Sequence, residues 1–311
     1  MTACSETSRL LDEPLAGTAP VATSWIVVEQ PGPWGRKALT QSHLDPVLGA
    51  ALDTAASAHG ARVALVRWPG RHPDAGQVSR RVWVASTQPG ASWLLGGRVD
   101  DVAELGALAW SGLERGDRER VRASLPVLFP EAEPLLLVCT NGRRDVCCAN
   151  FGRPLAGALR DRFPGRVWET THLGGHRFAP TAALLPHGTL YGRLEPEAAA
   201  NLAEQARLGR HVADGYRGRS TFSRAGQAAE AAVRKAAAVD GLDDLDIETD
   251  GQLDSHADTW RVVVVHRDGR RWHIDVRARP LDPARPESCG AAAVRPLGYL
   301  ADPPIMQEWR S

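Results

Sequence analysis

Neither sign of charge is in excess: 37 Lys and Arg balance 37 Asp and Glu, a formal net charge of +0. That balance excludes a strongly basic nucleic-acid binder and a polyacidic tail. Lysine is nearly missing, with only Lys37 and Lys235, so the positive charge is arginine. This reads as GC-rich coding rather than as chemistry. Long apolar runs are missing too. Leu135 to Cys139 and Val262 to Val265 are of strand length, far below a membrane span. Met1-Thr2-Ala3-Cys4-Ser5-Glu6 has no basic region and no apolar stretch, so no secretion signal is expected there. Gly-x-Ser-x-Gly, His-Glu-x-x-His, Walker and Gly-x-Gly-x-x-Gly motifs are all absent, and with them the common hydrolase, nucleotide and nicotinamide signatures. The expectation is a cytoplasmic chain that binds neither nucleic acid nor membrane.

What is present is enough apolar material for packed cores, 43% of 311 residues with ten Trp, and a length that suits two or three domains. A strand over 25–29, a helix over 44–59, strands over 62–68, 80–86 and 92–98 and a helix over 102–113 give the order β-α-β-β-β-α. The order returns in the middle of the chain. A strand over 134–139 is followed by a loop over 140–149 and a helix over 154–162. Strands over 166–171, 182–185 and 189–194 and a helix from 196 to about 212 complete it. Duplication and the mere commonness of this order in α/β proteins both explain the repetition. The last third reads as a helix over 224–239 and strands over 245–249, 259–266 and 271–279. The last two are joined at a tight Asp268-Gly269 hairpin, and an irregular tail follows from Pro280. Asp246 to Gly251 imitates a calcium loop, but Ala257 stands where the essential Glu would be, so a hairpin is expected. Boundaries follow near residues 125 and 215: an α/β unit over 1–125, a second over 126–215 and a small α+β module over 216–311.

The chemistry-bearing residues are concentrated. Cys139-Thr-Asn-Gly-Arg-Arg-Asp-Val-Cys147-Cys148 leaves the end of one strand, and His172-Leu-Gly-Gly-His176 leaves the end of the next. Adjacent parallel strands end on one edge, where ligand sites of α/β sheets gather, so these five side chains can reach one pocket. Cys4 and Cys289 lie outside that group and read as structural or unpaired thiols. Zinc competes for such a set, although Cys-x8-Cys is wider than the usual structural zinc spacing. Thiol redox chemistry at the vicinal Cys147 and Cys148 is a further alternative, but Cys-x-x-Cys is absent.

The stretches Cys139-Thr-x-Gly-x-Arg-Asp-x-x-Cys148 and His172-x-Gly-Gly-His176-Arg-Phe-Ala-Pro resemble the signature of the sucrase/ferredoxin-like family. The resemblance extends to Cys4-Ser-x-x-Ser-Arg, Glu29-x-Pro-Gly-Pro-Trp-Gly35 and Leu190-Tyr-Gly-Arg-Leu194. It implies a thioredoxin-like ferredoxin domain carrying a [2Fe-2S] cluster, preceded by a related degenerate α/β unit. By position the implied ligands are Cys139, Cys148, His172 and His176. Cys148 falls three residues after the Arg144-Asp145 pair, with Cys147 beside it. Gly174 and Gly175 would let the chain turn between the histidines, and Pro180 would be the cis proline of a thioredoxin-like fold. Imidazole in place of thiolate makes the cluster less negative and raises its potential. Rieske centres lie at roughly −150 to +300 mV, all-cysteine plant-type ferredoxins at about −400 mV. Arg143, Arg144 and Arg177 would raise it further. The implied role is a carrier of single electrons between a reductase and an acceptor protein, rather than an enzyme with its own substrate.

Overall fold

The computed structural model describes residues 3–70, 79–253 and 258–307; Ala257 lies outside them. The chain opens with helix α1 (Cys4–Leu10). It continues through β1 (Ser24–Glu29), α2 (Pro46–Ala58), β2 (Ala61–Arg67), β3 (Arg80–Ser86), β4 (Trp93–Val99), α3 (Trp110–Glu114), α4 (Arg118–Ser124) and β5 (Phe129–Pro130). Then come β6 (Leu135–Cys139), α5 (Val146–Arg160), β7 (Val167–Thr170), β8 (Ala182–Leu185), β9 (Thr189–Tyr191), α6 (Pro196–Arg207) and β10 (Tyr216–Arg219). All ten strands pair into one sheet in the order β10-β9-β8-β6-β7-β2-β1-β3-β4-β5.

That order contains the same connectivity twice. β1 runs parallel to β2 and antiparallel to β3; β6 runs parallel to β7 and antiparallel to β8. The two units meet edge to edge where β2 and β7 pair antiparallel, Val66 opposite Thr170 and Arg67 opposite Glu169. β1 and β6 form because their apolar runs are covered on both faces, and every residue of each is buried. One face of the sheet carries a core common to both units. Trp25, Trp83 and Leu94 pack there with Leu137, Cys139, Cys148 and Trp168. On the opposite face, α2 covers the first unit and α5 and α6 cover the second. No described helix is long and apolar enough to cross a membrane. The chain is of mixed α/β class.

The C-terminal part is built on α7 (Arg224–Ala237). It continues with β11 (Leu245–Gln252), β12 (Thr259–His266), β13 (Arg271–Pro280), β14 (Arg285–Pro286), β15 (Ala293–Val294), β16 (Leu297–Ala301) and β17 (Ile305–Met306). β11, β12, β13 and β16 form a second antiparallel sheet, with β17 also pairing with β13. The hairpin at Asp268-Gly269 closes as expected, with Gly269 at φ 98. The tail differs from the expectation. β16 and β17 add to the edge that β13 would otherwise leave unpaired, and β14 pairs with β15.

Candidate metal centre

The middle helix starts eight residues earlier than the sequence pattern suggested. Asp145 caps α5, its carboxylate accepting from the Cys147 N–H at 2.9 Å, so the helix begins at Val146 and not at Pro154. Pro154 lies inside the helix. The i−4 carbonyl it leaves unbonded belongs to Asn150, an exposed residue that water can satisfy. Cys147 and Cys148 therefore sit on the first helical turn rather than in a loop. Consecutive helical residues point about 100° apart, so the two thiols face different neighbours.

Cys148 faces inward, to Cys139 at the end of β6 and to His172 beyond the end of β7. One donor atom from each of Cys139, Cys148 and His172 lies within 4.8 Å of the others. Both cysteines are 1% exposed. α5 comes this close because residue 152 is glycine; a Cβ there would stand 2.0 Å from the Cys139 carbonyl oxygen. His176 stands beside the group, its ring centroid 4.9 Å from that of His172. Gly174 and Gly175 hold the turn between the two histidines at φ 83 and 68, as the spacing required. The Ala179–Pro180 bond is cis, also as expected.

The thiols and imidazoles of this group perturb one another. The Cys139 thiol is held well below its ordinary range, chiefly by hydrogen bonding from Cys148 and then from His172, against the opposing pull of burial. The same pairing, with burial, pushes Cys148 upward. Burial, reinforced by the charge of His172, presses His176 down to about 4, which leaves its imidazole neutral and free to donate a lone pair. The Nδ1 atoms of both His172 and His176 are buried with no hydrogen-bond partner. Buried polar atoms are nearly always satisfied, and here two orphaned nitrogens adjoin two buried thiols.

Arginines absent from the sequence reading frame this loop. Arg217, on β10 and fully buried, donates to the Gly174 carbonyl at 3.1 Å and to the Thr18 carbonyl at 2.5 Å. Arg62 donates to the His172 carbonyl at 2.6 Å. Arg177 was expected to add positive charge near the histidines, but two carboxylates neutralise it: Glu13 at 2.7 Å and Glu287 at 2.8 Å. Arg143 is exposed. Arg144 lines an open cleft of about 770 Å³ that reaches His172, together with Arg36, Lys37 and Arg62.

Cys147 is turned away from this group. It meets Cys4 and Cys289, which the sequence reading had set aside: the Cys147–Cys289 sulfurs are 3.1 Å apart and the Cys4–Cys147 sulfurs 3.6 Å. Nothing local in the sequence signals this, because the partners are 142 and 143 residues apart.

The sucrase/ferredoxin-like family profile matches residues 15–218, which span both units and all the residues of the first cysteine–histidine group. The chain belongs to the sucrase/ferredoxin-like family. No curated protein and no solved structure shows a significant match. Among the described residues of this chain, Cys, His and Asp side chains, most of them buried, form two groups that could hold a metal.

Proposed function

We propose that this sucrase/ferredoxin-like protein is an electron carrier whose Cys139, Cys148, His172 and His176 hold one [2Fe-2S] cluster. The observation that carries the reading is the gathering of two buried thiols and His172 within 4.8 Å, with Nδ1 of both His172 and His176 buried and unbonded. Thiolate and neutral imidazole are the donors known to hold such iron. When bound, the cluster supplies reversible one-electron transfer.

The chain's own groups do the rest. Cys139 at the end of β6 and Cys148 at the start of α5 are buried, whereas His172 and His176 are only half-buried, so the histidine side is the route by which an electron passes. The cleft at His172, with Arg36, Lys37, Arg62 and Arg144 against Asp53, suits transient docking of an acidic surface on a reductase or acceptor protein. Were the cluster bound, His172 and His176 would be the ligands able to take up a proton on reduction, which would make its potential depend on pH.

The mutual closeness of three donors also suits a single zinc, and purification decides between them. A coloured protein containing iron and acid-labile sulfide is expected, with a midpoint potential that falls from about pH 6 to about pH 9. A colourless zinc protein, or a coloured one with a flat potential, would overturn this assignment. His176→Cys should retain iron and lower the potential, because a thiolate replaces a neutral donor.

A further inference from the structure

The second group consists of Cys4 at the start of α1, Asp145 and Cys147 at the start of α5, and Cys289 in the turn after β14. Its three sulfurs form a triangle with edges of 3.1, 3.5 and 3.6 Å, none of them a disulfide. The Asp145 carboxylate stands 3.9 and 4.0 Å from the Cys4 sulfur. Donor atoms of all four residues lie within 4.8 Å of one another, and Cys4, Asp145 and Cys147 are buried. Four ligands at the corners of a tetrahedron around zinc, with Zn–S of about 2.3 Å, place sulfurs about 3.8 Å apart. The triangle is of that size after a few tenths of an ångström of outward relaxation. It is too tight for sulfurs on different irons of a cluster.

The charge around the group also calls for a cation. The Asp145 side chain is fully buried, yet among the described residues no Lys or Arg pairs with it, and its nearest ionic neighbour is His176 at 4.0 Å. Its Oδ2 accepts from Ser288 Oγ at 2.9 Å and from the Cys289 N–H at 2.8 Å; its Oδ1 accepts from the Cys147 N–H at 2.9 Å and faces the Cys4 sulfur at 4.0 Å. With a metal in place, the Cys4 thiolate would no longer donate, and Oδ1 would have a lone pair for the ion. Those bonds also pin the turn bearing Cys289 over the start of α5. Thiolate and carboxylate are both donors that zinc accepts, and three of one with one of the other make up the four of a closed site.

We propose that Cys4, Cys147 and Cys289, with Asp145 as fourth donor, hold a single divalent cation of the zinc class, separate from the Cys139/Cys148/His172/His176 group. Its ligands come from the beginning, the middle and the end of the chain, so the ion ties α1 and the β14 turn onto α5.

The test is metal analysis of protein purified under reductant, with zinc and iron counted per chain. About one zinc is expected in the unaltered protein. In Cys4→Ser and Cys289→Ser zinc should fall at least about fivefold while iron and the visible spectrum stay unchanged. In the unaltered chain, where misfolding of a variant is no concern, zinc should shield Cys4, Cys147 and Cys289 from alkylation, and a chelator should expose them together. Added Co²⁺ should give thiolate–cobalt absorption in the stripped protein and none in Cys289→Ser. The proposal is overturned by zinc that survives both variants, by zinc lost only in Cys139→Ser, or by a Cys147–Cys289 disulfide in the reduced preparation. Because the readouts are separate metals, a protein with zinc here and no iron would sink the cluster reading and leave this one standing.

Discussion

Replacing Arg217 by Met tests whether the histidine turn is held from behind by one buried guanidinium. Arg217 is 0% exposed, and its three bonds run to Thr18 Oγ1, the Thr18 carbonyl and the Gly174 carbonyl. Its guanidinium also lies 5.4 Å from the Phe178 ring. Burial, the largest influence, lowers Arg217 to about 9, with the neighbouring Arg177 adding to it. Met fills much of the stem volume but donates nothing. Two carbonyl oxygens are then left without this partner, at about 1–3 kcal/mol each, while relief from burying a charge returns part of that. The net expectation is a loss of about 3 kcal/mol. Urea unfolding followed by near-UV circular dichroism measures it, with the exposed Arg98→Met as a control expected within about 0.5 kcal/mol of wild type. If the proposed cluster is present, iron content should fall as well, since Arg217 anchors the Gly174 carbonyl between the two histidines. Arg217→Lys should recover only part of the loss, because a single ammonium cannot span three acceptors in a fixed fork. A Met variant within about 1 kcal/mol of wild type, or a Lys variant indistinguishable from it, would refute the reasoning.

Other consequences can be measured independently. Gly152→Ala places a methyl group against the Cys139 carbonyl; α5 must retreat from β6, so stability in thermal melts should fall, and with it the metal content that the proposed cluster would give. Glu230 is fully buried, bonded to Arg234 and accepting from Tyr216 Oη at 2.8 Å; Glu230→Ala should cost about 3–5 kcal/mol in denaturant unfolding, because Arg234 is left charged and unpaired. His211 is pressed down to about 3, first by burial and then by the charge of Arg234. Its folded value lies below the ordinary 6.5, so the unfolded chain takes the proton first. Stability should therefore drop as pH falls below about 6.5, by about 2 kcal/mol at pH 5, and His211→Phe should flatten that slope.

The elements that could be read from sequence were those whose signal is local. Leu135 to Cys139 is an unbroken apolar run, and Asp268-Gly269 sits between two alternating strands; both formed where expected. Cys139, Cys148 and His172 came together because parallel strands end on one edge, a rule that needs only the order of elements. The start of α5 was misjudged because Pro154 looks like a first-turn proline, whereas the capping carboxylate was Asp145. β10 went unseen because Tyr-Arg-Gly-Arg has no apolar alternation; its arginines are buried by making specific bonds. The convergence of Cys4 and Cys289 on Cys147 is a property of the tertiary fold alone.

The seam between β2 and β7 bears on why the first unit is kept although it contributes no donor to the Cys139 group. Arg67 grips Glu169 at 2.6 Å across that seam, Thr171 Oγ1 accepts from the Leu65 N–H, and Arg62 reaches the His172 carbonyl. The strand that delivers the histidines is thus braced on its outer side by β2, which supplies no donor to the Cys139 group. A protein trimmed to its second unit would have the donors but a bare, unsupported flank behind them. Through that flank, the first unit works as a splint for the histidine-bearing strand.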